Sequence, residues 1–378
     1  MTDAGRSTRS PRGSRPIYSR PMAHVFVAPH PDDVALSCGG LIASLRELGQ
    51  NVTIVTVFSG NGATERLTPY QRDALGFGTK TMAPATEAFN RANIAADWST
   101  GGELPPWAAT DAQLEATQAE ADGAAKSFWQ RSSWYRRASI RNVSLAGQPV
   151  EDDISTQGAV LTEDIVEAAA AGEVMARRRV EDERYAYFAE ASIVFLDLPD
   201  AVFRGYDGDE ELLGWPRADD TAPFEILRRE IARLEPQRVY FPLGIGGHVD
   251  HQLCREAGLA LLDEGRSWVM PGPDYIGQLA FYEDFPYAWW NEFRHIDDLP
   301  PGTLTAMPAG VSLEAEYADV TDQLERKITG IRLYESQLDR LFDGVRPMAD
   351  SVRKHSQATA ELGGVPGAAE RYWVTTAI

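Results

Sequence analysis

The feature that most constrains the fold is a series of short apolar runs separated by stretches with helical periodicity. The runs, rich in β-branched and aromatic residues, are residues 24–29, 51–60, 191–199, 238–244 and 278–285. Helical spacing lies between them, at Leu41, Leu45 and Leu48 and over residues 224–234 and 251–265. Such alternation is typical of a mostly parallel sheet covered by helices on both faces. We therefore predict an α/β fold, a Rossmann-like three-layer sandwich whose ligands bind at the carboxyl ends of the strands.

Three segments interrupt or extend this pattern. Residues 61–176 lose it and predict a mostly helical insertion or lid, and residues 1–23, rich in Arg, Ser and Pro without an apolar core, predict a disordered arm rather than a secretory signal. Residues 311–342 predict one long surface helix whose apolar stripe runs through Leu324, Ile328, Ile331 and Leu338. We accordingly expect a single α/β domain over residues 24–378.

Composition limits the classes of partner. The chain has 378 residues, of which 43% are hydrophobic and 24% charged, as in ordinary globular proteins. Its formal net charge of -20 repels phosphate backbones and anionic membranes, so we expect neither nucleic acid nor membrane as a partner. The two cysteines, Cys38 and Cys254, argue against a disulfide framework and favour a cytoplasmic setting. The sequence leaves a homo-oligomer open.

The segment "APHPDDVALSCGG", residues 28–40, follows the first apolar run and holds His30, Asp32 and Asp33 at the carboxyl end of a strand. The flanking prolines restrict the backbone around His30. Imidazole and carboxylate groups are suitable ligands for Zn²⁺, which takes three protein ligands in a typical catalytic site. A competing interpretation is that Asp32 or Asp33 merely caps the following helix.

The segment "PLGIGGHVDHQLC", residues 242–254, also follows an apolar run and supplies His248, Asp250 and His251. Taken alone, it also fits a helix cap with solvated histidines. If the two strands are neighbours in one parallel sheet, both clusters face the same crevice, and one histidine of the second cluster completes a His/Asp/His metal set.

These two segments resemble the signatures of the PIG-L/LmbE-like family of zinc-dependent N-deacetylases, an HPDD after the first strand and an HxDH after a later one. Weaker similarities lie in residues 177–205, 327–337 and 370–373. The resemblance implies that His30, Asp33 and His251 bind one Zn²⁺ per chain. Fe²⁺ would suit the same ligands.

The resemblance also implies catalytic roles outside the ligand set. Asp32 would be the general base, and His248, oriented by Asp250, would assist at the substrate oxygen. We expect the Asp250 carboxylate to raise the pKa of His248 and favour its charged form. Two positions depart from the family pattern: Val34 stands where a glutamate is frequent, and Gly246 where some members have a tyrosine.

Further polar residues are candidates for substrate contacts. The resemblance suggests Arg178, Asp200 and Arg204, although an ion pair on a solvated face is the more frequent explanation for such residues. Tyr334 and Gln337, three residues apart on the late helix, could reach the pocket or merely pack.

The predicted function is a zinc-dependent amide hydrolase that removes an acetyl group from a small, N-acetylated substrate that contains an amino sugar. One alternative is an amidase or deacylase of a larger conjugate or glycosylated natural product, with Trp107, Trp129 and Trp134 of the insertion lining an acyl pocket. Another is a binding protein that keeps the fold without the chemistry, which the intact cluster of histidines and aspartates disfavours. A phosphate-binding enzyme is disfavoured because the sequence lacks a G-x-G-x-x-G or P-loop lysine motif.

Overall fold

A computed structural model of the chain describes residues 22–60, 62, 67–74, 163–221, 223–264, 278–290, 311–342 and 344–377. The strands are β1 (Ala23–Ala28), β2 (Asn51–Thr56), β3 (Ser192–Phe195), β4 (Arg238–Pro242), β5 (Gln278–Tyr282), β6 (Val311–Asp319) and β7 (Ala369–Ala377). The α-helices are α1 (Asp33–Glu47), α2 (Pro69–Ala74), α3 (Glu163–Phe188), α4 (Asp209–Leu212), α5 (Phe224–Leu234), α6 (Val249–Glu264), α7 (Leu324–Ile331), α8 (Glu335–Phe342) and α9 (Val345–Gly363). Short 3₁₀ turns lie at Ala201–Phe203 and Thr321–Gln323.

The strands form one seven-stranded sheet in the order β3-β2-β1-β4-β5-β7-β6. The first five strands of this order are parallel, whereas β7 is antiparallel to both β5 and β6. The predicted mostly parallel α/β sheet is confirmed.

Side chains of the central strands alternate between two apolar cores, one on each face of the sheet. Phe26 of β1 packs on the face covered by α1, α3, α7 and α9, while Val25 and Val27 pack on the face covered by α5 and α6. Because both faces are buried, the strands carry the continuous apolar runs seen in the sequence. The result is the predicted three-layer sandwich.

The strand order creates a switch point between β1 and β4. The chain proceeds from β1 to β2 and β3 on one side of the sheet and returns to place β4 on the other side of β1. The connections therefore diverge at the carboxyl ends of β1 and β4, which opens a crevice there. Both histidine-containing segments begin at this crevice.

The prediction of one long helix over residues 311–342 is wrong. Residues 311–319 form β6, which pairs with β7 along its whole length, and the remainder forms α7 and α8 with a break at residues 332–334. The segment "VSLEAEYAD" alternates apolar and polar residues with the period of a strand, and the helical stripe begins only at Leu324. Its pairing with β7 along the whole strand decided the outcome.

The predicted insertion lies mostly outside the described residues. Within residues 61–176 the structure describes α2 and the first half of α3, which continues across the predicted boundary at residue 176. The aromatic residues Trp107, Trp129 and Trp134, and the arm except for its last two residues, lie outside the described part. Among the described helices, none is both long enough and apolar enough to cross a membrane.

A buried ion pair joins α1, α7 and β7. Lys327 Nζ donates to Glu370 Oε1 over 2.7 Å, and the carboxylate of Glu370 also accepts the backbone N–H groups of Gly40 and Leu41 at 2.9 Å. Gly40 permits this close approach, because a Cβ there would lie 2.7 Å from the side chain of Val320. The glycines of the "CGG" sequence thus let α1 pack against its neighbours.

Candidate metal and catalytic site

Three neighbouring strand ends build the site. His30 lies in the tight loop after β1, Asp33 is the first residue of α1, and His251 lies in the first turn of α6 after β4. Asp284 follows β5, the next strand of the sheet. All four side chains are buried. The sheet order thus brings together groups separated by more than 200 residues of sequence.

Asp33 lies close to both of the predicted histidine ligands. Asp33 Oδ2 lies 3.2 Å from His30 Nδ1 and 3.3 Å from His251 Nε2. A tetrahedral ion with ligand bonds of about 2.0–2.1 Å separates its donor atoms by about 3.3 Å. The chemistry of these donors and their two distances from Asp33 Oδ2 suit a divalent metal.

Each histidine of this set contacts a carboxylate through its other ring nitrogen. His30 Nε2 lies 2.8 Å from Asp250 Oδ2, and His251 Nδ1 lies 2.6 Å from Asp284 Oδ1. Asp284 is itself held by the backbone N–H groups of residues 244 and 245, which donate to its Oδ2 over 2.7 and 2.9 Å. Carboxylates in this position orient metal-binding histidines and fix their tautomers.

The electrostatics of the cluster favour a positive charge. Burial opposes the charged form of His30, yet Asp200, Asp250 and Asp33 raise its pKa to about 9. Burial likewise opposes charging of His251, but Asp33 and Asp284 raise its pKa well above the ordinary value. The carboxylates therefore create a field that stabilises a cation at these ring nitrogens.

Two further donor groups overlap this set. Ring nitrogens of His30, His248 and His251 lie within 4.8 Å of one another, as do donor atoms of His30, Asp200 and Asp250. The two predicted histidine clusters are thus brought together at one point. His248 lies beside the donor set rather than on a remote surface.

Asp32 has a backbone conformation that is unusual for a residue with a side chain. Its φ is 107° and its ψ is -37°, and at the N-cap position of α1 its side chain makes no capping hydrogen bond. Asp33 does not cap the helix either, since its Oδ2 accepts the backbone N–H of His30 over 2.8 Å. The capping interpretation of this pair is therefore wrong. Strained backbone of this kind concentrates at functional sites.

The Asp32 carboxylate is buried next to Arg178, whose guanidinium lies 3.8 Å from its Oδ2. Burial raises the pKa of Asp32 to about 8, although Arg178 opposes the shift. A carboxylate whose pKa lies near neutrality is suited to exchange protons at physiological pH.

The expected contact between the Asp250 carboxylate and His248 is wrong. The carboxylate instead contacts His30 and Arg204 and accepts the backbone N–H of Ala201 over 3.0 Å. It is the backbone N–H of Asp250 that donates to His248 Nδ1, over 3.2 Å. Burial, followed by the effect of His30, lowers the pKa of His248 well below its ordinary value, contrary to the expected increase. His248 is therefore neutral, with its proton on Nε2.

The predicted substrate contacts divide into two groups. Arg178 and Asp200 line the cleft at the site and pair with each other at 3.5 Å, so they do not lie on a solvated face. The Arg204 guanidinium instead bridges Asp250 and Asp220 and donates to the carbonyl of Pro199 over 2.6 Å. This position makes Arg204 a support for Asp250 rather than part of the described cleft wall.

The cleft has a volume of about 790 Å³ including its mouth, and α8 supplies one of its walls. The residues that line it comprise His30, Asp32, Asp33, Leu36, Arg178, Asp200, Val202, Asp209, Leu212, Leu213, His248, His251, Pro286, Tyr287, Gln337, Arg340 and Leu341. Gln337 reaches the cleft, whereas Tyr334 donates to Asp182 over 2.6 Å in the core.

The structure also accounts for the two positions that depart from the family pattern. Val34, the second residue of α1, is buried in the hydrophobic core. At Gly246, where φ is 90°, a Cβ would lie 2.4 Å from the ring of Tyr287, so the aromatic ring occupies the space of a side chain.

Sequence reasoning missed Asp284, Tyr287 and Arg340. For Asp284 a signal was present, because "FYEDF" places a carboxylate directly after a predicted apolar strand. No local pattern distinguishes Tyr287 or Arg340 from residues that pack or face solvent. Only the strand order and the position of α8 bring them to the cleft.

Comparisons with known proteins agree with this architecture. The family model PIG-L, described as GlcNAc-PI de-N-acetylase, matches residues 25–120. The 2'-N-acetylparomamine deacetylase of Streptomyces fradiae is 32% identical over 175 residues, which are 45% of this chain and 57% of that protein. The chain therefore spans little more than half the length of that relative.

Two solved structures share the fold, each with a TM-score of 0.50. The first, antimicrobial reagent A40926 pseudoaglycone deacetylase, is 20% identical, and the match covers 95% of this chain and 98% of that one. The second, the zinc inhibited form of teicoplanin deacetylase, is 19% identical over 94% of this chain and 98% of that one.

Proposed function

We propose that the chain is a metal-dependent N-deacetylase of the PIG-L family, whose model matches residues 25–120. Its substrate is a small, N-acetylated glycosidic compound that contains an amino sugar, and the products are acetate and a free amine. One observation carries the proposal: Asp33 lies at tetrahedral spacing from both His30 and His251, beside the Asp32 carboxylate, which lies outside the proposed donor set. The names of the relatives, deacetylases of aminoglycoside and glycopeptide compounds, support the substrate class.

In this proposal His30, Asp33 and His251 hold one divalent ion per chain. Zinc suits these donors, as does Fe²⁺. When bound, the ion supplies a Lewis acid that polarises the amide carbonyl and lowers the pKa of water. The buried, free thiols of Cys38 and Cys254 are consistent with a cytoplasmic enzyme.

Asp32 acts as the general base and takes a proton from the attacking water. It lies outside the proposed donor set, and Arg178 holds its carboxylate from one side. Attack forms the new C–O bond, and the C–N bond breaks once the nitrogen receives a proton. A carboxylate with a pKa near neutrality can accept the first proton and return it to the leaving amine.

His248 acts as a hydrogen-bond donor. With Nδ1 accepting the N–H of Asp250, the neutral ring presents its Nε2 proton, which can stabilise the oxyanion of the tetrahedral intermediate. Asp250 contributes by holding His30 and pairing with Arg204 rather than by charging His248.

The experiment combines metal analysis with an activity screen. Purified protein is expected to contain about one divalent ion per chain and to release amine from N-acetylated aminoglycosides or amino sugars, and a chelator is expected to stop the reaction. Asp32→Asn should keep the ion and lose at least about 100-fold in rate, whereas Asp33→Asn should lose the ion.

Asp197→Asn is the matched control, because Asp197 is an exposed aspartate whose φ of 55° suits asparagine. Full activity of Asp32→Asn, or a metal-loaded protein that hydrolyses no member of the panel, would contradict the proposal.

A further inference from the structure

One face of α8 forms a wall of the cleft. This wall carries a positive charge, whereas the metal site is rich in carboxylates. Gln337, Arg340 and Leu341 all line the cleft, and their spacing of three and four residues places them on one side of the helix. Arg340 therefore presents a cation at the same cleft that holds the proposed catalytic residues.

The charge of Arg340 lacks a direct partner. Within the part of the chain that the structure describes, its guanidinium makes no hydrogen bond or ion pair, although the side chain is partly buried. The neighbouring Arg178 differs, because Asp32 and Asp200 balance its charge at 3.8 and 3.5 Å. Burial and the like charge of Arg178 lower the pKa of Arg340, against opposing effects of Tyr287 and Asp200.

The carboxylates of the cleft are committed elsewhere. Asp33 lies between His30 and His251, and Asp32 and Asp200 face Arg178. Asp209 is exposed to water, where an unpaired charge is well solvated, and it accepts the hydroxyl of Tyr70 over 3.1 Å.

Partial burial of a guanidinium beside another cation is unfavourable unless a bound anion balances its charge. Five N–H donors in a planar fork match two oxygens of a carboxylate or phosphate. We propose that Arg340 binds an anionic oxygen group of the substrate beside the acetamide, and that the enzyme selects acidic N-acetylated amino sugars. This inference rests on the proposed deacetylase function of the same cleft.

The same guanidinium also selects against other substrates. A neutral hydroxymethyl group at this position leaves the Arg340 charge without a counterion. Selectivity then comes from an unfavourable contact with the wrong substrate as well as a favourable contact with the right one.

Three probes test the proposal: N-acetylglucosamine, N-acetylmuramic acid, which carries a carboxylate, and N-acetylglucosamine 6-phosphate. Wild-type protein is expected to favour at least one acidic probe over the neutral one by about 10- to 100-fold in kcat/KM. Arg340→Gln should abolish this preference, chiefly through KM, and Arg340→Lys should retain part of it. The two acidic probes distinguish a carboxylate site from a phosphate site.

Arg177→Gln is the matched control, since Arg177 lies on the exposed face of α3 next in sequence to Arg178 and its loss changes the net charge equally. The ratio of its kcat/KM for the acidic probes to that for the neutral probe should equal the ratio of the wild type. An equal preference in Arg340→Gln, or no preference for either acidic probe in the wild type, would overturn the proposal.

Binding measurements separate this inference from the proposed function. Calorimetry with glucosamine, muramic acid and glucosamine 6-phosphate requires no turnover. Acidic sugars that bind in an Arg340-dependent manner without hydrolysis of any probe would support the anion site and contradict the deacetylase. Hydrolysis of the probes without a preference for the acidic ones would support the deacetylase and contradict the anion site.

Discussion

Replacing Asp284 by asparagine tests the geometry of the metal site. Asp284 Oδ1 contacts His251 Nδ1 at 2.6 Å, while Oδ2 accepts two backbone N–H groups at 2.7 and 2.9 Å. Asparagine has the same shape but only one acceptor oxygen, so it cannot keep both sets of hydrogen bonds. Either His251 or the backbone of residues 244 and 245 must lose its partner.

One outcome weakens metal affinity, and the other lowers the stability of the fold. If the amide oxygen keeps the backbone contacts, its NH₂ group faces His251 Nδ1 and forces the ring proton onto Nε2, the atom 3.3 Å from Asp33. A protonated Nε2 cannot bind a metal, and loss of such a supporting carboxylate weakens metal affinity by about 10- to 100-fold, or about 1.4–2.7 kcal/mol. If the oxygen keeps His251, two buried N–H groups lose their acceptor, which lowers the free energy of unfolding by about 1–3 kcal/mol for each.

The assay is competition for Zn²⁺ with a fluorescent chelator at pH 7.5, combined with urea unfolding of the metal-free protein. We expect reduced zinc affinity and a smaller change in stability for Asp284→Asn, because the backbone contacts outnumber the single contact with His251. Glu256→Gln is the control, since Glu256 is an exposed carboxylate on α6, the helix that carries His251. Zinc affinity within twofold of the wild type, together with unchanged stability, would refute the proposed role of Asp284.

Three further predictions concern stability. Lys327→Met should lower the free energy of unfolding by about 3–5 kcal/mol, measured in urea, because it leaves the Glu370 carboxylate buried without its cation; an unchanged midpoint would contradict this. Gly246→Ala should lower it by more than about 1 kcal/mol, since its Cβ would lie 2.4 Å from the Tyr287 ring at a φ of 90°, and a thermal midpoint equal to that of the wild type would exclude the clash. Burial, aided by Arg238, lowers the pKa of His24 to about 4, so the unfolded chain binds more protons between pH 6.5 and 4 and stability falls as the pH falls through this window. His24→Phe should lose less stability than the wild type between pH 7 and 4.5, and equal losses would contradict the shift.

The central strands were predictable because burial on both faces demands apolar residues at consecutive positions. The predicted runs extend beyond several strands, for instance past Thr56 and Pro242, because Val57, Phe58 and Leu243 are buried in loops at the carboxyl edge. Periodicity reports burial rather than hydrogen bonding, so it does not locate the end of a strand. The same ambiguity led to the wrong helix over residues 311–319.

The proximity of the two histidine-containing segments was predictable for a different reason. His30 and Asp33 are close in sequence, and a parallel sheet brings strand ends to one edge, which places the segment around His251 nearby. The roles of the remaining residues were less accessible. Asp250 is two positions from His248, and this closeness in sequence suggested a contact between their side chains. The Asp250 carboxylate instead contacts His30 and Arg204.

By itself the sequence determined the α/β class and the two polar loops at strand ends that hold the proposed metal donors. These features follow from local patterns, because each strand, loop and helix start requires particular residue types at neighbouring positions of the sequence. Tertiary structure alone decided which carboxylate supports which histidine, why Gly246 faces Tyr287, and that Arg340 lines the cleft without a counterion among the described residues. Those facts depend on distances between elements remote in sequence, where a contact is fixed by the packing of the whole sheet and its helices and by no pattern within one segment.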